Sequence, residues 1–438
     1  MACLTGAAAL GGRGWLHHPD DVAPGQHRSS PGAHFRAGWF LDALKLALVF
    51  IVVLVLVARR FNLGAVMLVG SALLAVVFVM PPELVARTVG GTLTTWTTWQ
   101  LTIALIAIVV LEHALREWGA LRKLSAGLLG LVRDERVAMA ALPALIGFLP
   151  SAGGARFSAP LVDEVAASTS ATPTVRSFAN YWFRHVWNYS IPVYAGVVLV
   201  SAVAAVPLSS VIRANLPLTV AALVAGVIVA FPQVHPLGRD RGARGVAGHL
   251  QDLAPGLVPI LAVLIAVVFL HADVALALVV AAAGVVVLAH IPFGDVVRVL
   301  RSPATTRIAT MVLGVLVFKD VLAASGAVTT IPALLQGAGV PLLAVAFVVP
   351  LVVGFVTALE TAFVGLTFPL LLAISGQVDL KLLAFAYAAG FAGVMLSPLH
   401  LCMVFTREYF ETEYVPMLGP VAIATLGVLA MGLAIVLT

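Results

Sequence analysis

The chain has 438 residues, 61% of them hydrophobic and 10% charged, with a mean hydropathy of +1.08. A soluble globule carries about 45–50% apolar and about 25% charged residues, so this chain cannot coat its own surface and its solvent must be lipid. The net charge of +5 does not indicate nucleic acid: the basic residues sit in short loops between apolar runs, as on the cytoplasmic face of a membrane protein.

Residues 1–40 are rich in Pro, Gly and Ser up to Pro31 and lack the continuous apolar core of a signal peptide, so a disordered N-terminal tail is expected there. Apolar runs then follow at 42–58, 63–80, 101–118, 137–162, 179–206, 212–231, 255–270, 272–290, 304–325, 340–374, 381–405 and 416–437. A helix needs about 20 apolar residues to cross the hydrocarbon layer, and most runs fit that length. Two do not read as single crossings. Residues 137–162 are interrupted by Pro, Gly and Ser, and residues 340–374 by Thr357, Glu360 and Thr361. Each reads as two half-length helices meeting at a polar tip, a backbone tolerated at membrane depth only where protein or a water-filled cavity surrounds it.

Sliding the chain against itself by 207 residues superposes Gly119 on Gly326, Gly130 on Gly337, Pro143 on Pro350, Gly147 on Gly354 and Ser190 on Ser397. Matched Gly and Pro carry more weight than matched Leu or Val in so apolar a chain. The fold class expected is therefore an all-α polytopic membrane protein made of two repeats, at 41–232 and 255–438, joined by a cytoplasmic linker at 233–254. If each hairpin is re-entrant, each repeat crosses five times and the second copy is inverted. With both termini outside, sixteen Lys and Arg fall on the cytoplasmic side, including the 116–136 and 232–254 loops, against six outside. That partition satisfies the positive-inside bias of a cell inner (plasma) membrane.

Inverted repeats with broken helices characterise secondary transporters, which hold solute and coupling ions at the midplane. Candidate solute-binding residues follow from where the backbone opens. Gly153 and Gly154, beside Ser151, allow close backbone approach. A half-helix starting just after them aims unbonded N–H groups and a positive dipole end at the midplane. Pro192 and Pro398 each remove a backbone donor and open their helices near Asn188, Tyr189 and Ser190, and near Ser397. Carbonyls freed there suit a cation, whereas hydroxyls and N–H groups, with Thr357 and Thr361 of the second tip, suit an anion. The alternative is that these residues only kink packed helices.

Charges inside the runs are costly and point to function by default. Arg156 either binds an anionic solute or reaches back to the cytoplasmic surface. Glu360 either couples a proton or sodium ion or pairs with Arg156 or Lys319. His400 relays a proton, contacts solute, or simply packs. Lys319 with Asp320 and Glu112 with His113 read as ion pairs at span ends. Tyr181, Trp182, Trp187 and Tyr189 read as an interfacial belt. Cys3 and Cys402 lie at opposite ends with no Cys/His spacing, so neither a disulfide framework nor a metal site is expected, and no cofactor.

The stretch LPSAGGARFSAPLVDEVA followed by NYWFRHVWNYSIPVY, with the later GFAGVMLSPLHLCMV, resembles the membrane family labelled domain of unknown function 401. That resemblance implies membership of the ion-transporter superfamily, alongside arsenite, citrate, dicarboxylate and gluconate carriers. It implies a scaffold domain, a transport domain containing both hairpins, a homodimer, and an elevator-like motion. The dicarboxylate carriers place Ser-Asn-Thr at their hairpin tips. This chain has Pro150-Ser151-Ala152-Gly153-Gly154 and Thr357-Ala358-Leu359-Glu360-Thr361 instead, so the resemblance alone implies neither dicarboxylate specificity nor sodium coupling.

No phosphate-binding GxxxxGK[ST] run occurs, which disfavours ATP-driven pumping by this chain alone. The reading is a secondary active transporter of a small anionic organic solute, driven by a proton or sodium gradient, and not an enzyme. Its partners are that solute, the bilayer and a second copy, with no nucleic acid. The competing readings are an intramembrane enzyme using Glu112-His113, Asp163-Glu164 and His400, and a channel or lipid-handling protein.

Overall fold

The computed structural model describes residues 31–59, 61–148, 154–236, 246–326 and 339–438. Its described regular structure is helical. The first ten helices are α1 (Pro31–Ala58), α2 (Leu63–Val77), α3 (Pro82–Thr94), α4 (Trp96–Glu117), α5 (Ala120–Leu131), α6 (Glu135–Gly147), α7 (Gly154–Ala166), α8 (Pro173–Arg184), α9 (Ala195–Ala204) and α10 (Leu208–Ala230). Then come α11 (Val246–Val268), α12 (Val274–Leu288), α13 (Phe293–Leu300), α14 (Pro303–Ala324), α15 (Leu342–Thr357), α16 (Glu360–Ser375), α17 (Leu380–Leu396), α18 (Leu401–Phe410) and α19 (Tyr414–Leu437). Trp39–Thr438 form one compact unit.

Helix α1 starts at Pro31, inside the stretch read as tail, and α11 starts at Val246, inside the linker. Three further helices, α3, α5 and α13, occupy segments read as loops. They are short, and α5 and α13 carry charges on one side, so no continuous apolar run marks them. Several starts are set by side-chain caps: Asn62, Asp134, Thr172, Asp273, Ser302 and Asp379 each accept a backbone N–H of the first turn. Each such cap satisfies an amide the helix cannot. Asp134 also receives the Arg136 guanidinium at 2.7 Å, which holds its carboxyl below the usual range.

Among the described residues, five segments are long and apolar enough to cross a membrane: Trp96–Glu117, Leu208–Ala230, Gly248–Val268, Leu380–Phe410 taken through its break, and Tyr414–Leu437. The last but one is 83% buried inside the protein, whereas Gly248–Val268 is 22% buried. The broken segment therefore lies at the centre and the unbroken helix faces the apolar solvent. The shorter apolar helices, such as Leu63–Val77 and Glu360–Ser375, fall below the spanning length.

Both runs read as hairpins are helix pairs. Helices α6 and α7 pack together, as do α15 and α16. The second pair turns at Ala358, whose φ is +55°. Both interrupted runs are interrupted. The first is α8, a 3-10 turn over Val186–Tyr189, a non-helical stretch around Pro192, and α9. The second is α17, a gap over Ser397–His400, and α18. Helix α15 lies against α17, where a Cβ on Gly354 or Gly393 would strike the backbone carbonyl of Gly390 or Leu351. Small residues allow such close helix crossings in lipid, where no hydrophobic drive brings helices together.

Candidate functional site

The second hairpin ends in a carboxylate that reaches the other half of the chain. Glu360 opens α16, and its Oε2 accepts from Asn188 Nδ2 at 3.0 Å. Its Oε1 accepts from the Gly196 backbone N–H at 3.1 Å. Gly196 is the second residue of α9, so this amide has no partner within its own helix. A negative charge at that position also meets the positive end of the helix dipole. Glycine leaves room for this approach: a Cβ there would stand 3.0 Å from Glu360 Cδ and 3.0 Å from Tyr387 Oη, so one of those side chains would have to give way.

Around this contact the first break is closed by side chains. Tyr387 Oη donates to the Asn188 carbonyl at 2.8 Å, and Asn215 Nδ2 donates to the Tyr189 carbonyl at 2.9 Å. Those two carbonyls, expected to be free for a cation, are therefore satisfied. The Ser190 and Thr219 hydroxyls bond at 2.7 Å, which ties the break to α10. One atom is left over: Asn188 Oδ1 is buried and accepts no hydrogen bond among the described residues.

The second break is built differently. Ser397 is fully buried, and its Oγ accepts the Leu399 N–H at 3.2 Å, a local turn. His400 precedes α18, and its Nδ1 lies 2.8 Å from Tyr181 Oη, which donates to the Met395 carbonyl at 2.9 Å. His185 Nδ1 lies 2.7 Å from the Tyr181 carbonyl. The two imidazole rings meet edge to face with centroids 4.8 Å apart, and Cys402 lies beside both. One coordinating atom from each of His185, His400 and Cys402 lies within 4.8 Å of the others.

Asn188, Glu360 and the backbone beside Tyr189 thus meet, and Gly196, Tyr387 and Asn215 join them without having been expected. A buried polar residue in the apolar run 212–231 was the available signal for Asn215. Ser190 and Thr357 are engaged elsewhere, Thr357 Oγ1 donating to the Val353 carbonyl at 2.7 Å within its own helix. Thr361 lies in the first turn of α16, half-buried. Ser151 and Gly153 lie outside the described residues. Gly154 and Arg156 stand in the first turn of α7, and the Arg156 side chain is outside the described set.

The aromatic belt is a correction. Tyr181, Trp182 and Tyr189 are buried, and Trp187 is half-buried with its ring stacked on Phe148 at 4.5 Å. The indole N–H groups of Trp182 and Trp187 donate to the Ala222 and Ala144 carbonyls at 2.8 and 2.7 Å. A buried aromatic that finds a carbonyl has no need of an interface. Arg184, counted on the cytoplasmic side by its place in the chain, is likewise buried. Elsewhere Lys319 pairs with Asp320 at 3.4 Å, Glu112 with Arg116, and Asp163 with Arg176 at 2.7 Å.

A cavity of about 570 Å³ flanks α9, lined by Gln100, Val198, Ser201, His271 and Asp273 among others. None of the residues singled out from sequence lines it. The convergent polar groups lie at the other end of α9, where Gly196 meets Glu360.

A search of curated proteins finds no match. A family model described as a protein of unknown function, DUF401, matches residues 42–438. That span takes in both helix pairs and both interrupted helices, and the chain belongs to the DUF401 family.

Proposed function

We propose that this protein is a secondary active transporter of a small anionic organic solute, coupled to a proton or sodium gradient in a cell inner (plasma) membrane. The observation that carries the reading is the Glu360 carboxylate, held by Asn188 Nδ2 and the Gly196 N–H across the two halves of the chain. Two donors and a helix dipole there suit an anion, and the group that now occupies the position is the protein's own Glu360 carboxyl. A solute carboxylate would replace that of Glu360, and Glu360 would then take a proton or face a sodium ion beside Asn188 Oδ1.

The reading includes an inverted repeat, which paired features of the two halves support. Gly119 and Gly326, superposed by the 207-residue shift, both have positive φ, at 70° and 76°. Ala205 and Glu411, which end α9 and α18, have φ of 54° and 51°. Packing is reciprocal: α2 meets α14 as α12 meets α4, and α7 meets α18 as α16 meets α9. Gly147 closes on the Arg184 carbonyl as Gly354 closes on that of Gly390. In this reading each repeat crosses five times with a re-entrant hairpin, and the hairpins with the broken helices form the moving domain of an elevator-like homodimer.

The test is counterflow in proteoliposomes. A thermal-shift screen of carboxylates, sugar acids, phosphonates and amino acids chooses the labelled solute. Uptake should be stimulated by unlabelled solute inside. Chemical conversion of the label would establish an intramembrane enzyme, and flux without trans-stimulation a channel; either result overturns the proposal.

A further inference from the structure

The cluster at the second break has a chemistry the transport reading does not use. A carbonyl oxygen can only accept, so Tyr181 Oη must donate to Met395 O, and His400 Nδ1 must donate to Tyr181 Oη. By the same rule His185 Nδ1 donates to the Tyr181 carbonyl. Both imidazoles are thereby fixed in one tautomer, with the Nε2 lone pair as the remaining coordinating atom. The third member is Cys402, buried at 8% exposure. Its thiol carries one proton and can donate to one of the two lone pairs, not both. Outer hydrogen bonds that fix the tautomer of both histidines are the arrangement found around metal-bound imidazoles.

We infer that His185, His400 and Cys402 bind a soft monovalent d10 cation, Cu(I), at the junction of the two broken helices. The coordinating atoms already lie within 4.8 Å of one another. Closing on an ion with bonds of about 2.0–2.3 Å requires them to draw in by roughly 1 Å. One thiolate and two imidazoles form a three-coordinate set with the softness copper prefers over hard ions. On binding, the Cys402 thiol loses its proton to water and the sulfur bonds the ion, so a monovalent cation adds no net charge. A zinc ion would leave one uncompensated positive charge in a buried site that already has Arg184 within electrostatic reach of the sulfur. Burying such a charge is expensive. The ion would pin α8 to α18, one from each half of the chain, and the inference stands whichever solute is carried.

The experiment uses the full chain in detergent with Cys3→Ser, so that Cys402 is the one thiol. Cu(I) is offered anaerobically against bicinchoninate, and Zn(II) in a parallel titration. The expected result is one Cu(I) per chain, with X-ray absorption showing one sulfur and two nitrogens around copper. Cys402→Ser and His185→Gln should each weaken binding by at least about 100-fold, beyond the cost of losing an outer-shell partner. Size exclusion and thermal unfolding of the ion-free variants check their folding; should His185→Gln misfold, Cys402→Ser, which changes a single atom, decides. Copper no tighter than bicinchoninate removes, unchanged affinity in Cys402→Ser, copper without a sulfur ligand, or zinc bound as tightly would each overturn the assignment.

Discussion

The two broken helices occupy matching places in the chain but present opposite chemistry. The first, between α8 and α9, offers donors: the Asn188 amide and the Gly196 N–H converge on a carboxylate. The second, between α17 and α18, offers lone pairs, with ligand atoms of two histidines and a cysteine within 4.8 Å of one another. Ser190 and Ser397, superposed by the 207-residue shift, differ in their partners. Ser190 is spent on a helix partner, Thr219, and Ser397 on its own turn. In the proposed reading one scaffold geometry is used twice, with an anion end at the first break and a cation end at the second. Side chains suffice to set such an asymmetry, because a break exposes backbone groups of both signs and the side chains decide which remain.

Removing the anion end should have the largest effect. Glu360→Gln keeps the size and one hydrogen-bond acceptor but cannot carry charge. Accumulation driven by a proton or sodium gradient should fall to the level of empty liposomes, while solute exchange persists. Accumulation at the wild-type rate would show that Glu360 is not the coupling group and would direct attention to His400.

Gly196→Ala probes the same end from the backbone. The added methyl would stand 3.0 Å from both Glu360 Cδ and Tyr387 Oη, so the carboxylate or the tyrosine must move. Overpacking of this kind costs about 1–3 kcal/mol, read as a lower midpoint of thermal unfolding. If stability is unchanged, the hairpin tip is looser against α9 than the contacts show.

The cation end is probed through a residue that would not touch the ion. Tyr181→Phe removes the hydroxyl that receives His400 Nδ1 and leaves the ring packed against His185. Cu(I) affinity should fall by about 10-fold, the lower range for an outer-shell partner. Solute exchange should be unaffected. A variant that loses exchange but keeps copper would show that Tyr181 serves the anion end instead.

Much of this architecture was legible in the chain. Pro192 and Pro398 fall in the two breaks, where each removes a backbone donor, whereas Pro217 and Pro369 lie inside continuous helices, so a proline marks a break only together with the polar residues beside it. The polar run Thr357–Thr361 marked the second hairpin turn, which the structure places at Ala358. What could not be read was which side chains meet. Gly196 is one glycine among 38, and nothing local distinguishes it from those that only ease helix crossings. His185 and Cys402 stand in different halves, so their approach depends on how α8 packs on α18 and not on any spacing of ligands. The aromatic residues misled for a related reason: Trp and Tyr suit an interface and a buried carbonyl equally well, and only the packing shows that Ala222 and Ala144 offer such carbonyls.

The smallest expected effect separates a site residue from a structural one. Ser190 lies next to Asn188 and Tyr189, in sequence as good a solute ligand as either, yet its hydroxyl is 2.7 Å from that of Thr219 and buried. A double-mutant cycle of Ser190→Ala and Thr219→Val isolates that bond. Hydrogen bonds between helices in lipid average about 0.6 kcal/mol by this method, because the separated helices also find partners. A coupling energy near that value, with solute exchange intact in both single variants, would assign the pair to holding the break against α10. Loss of exchange in Ser190→Ala alone, with stability kept, would instead return Ser190 to the anion end and widen it by one hydroxyl.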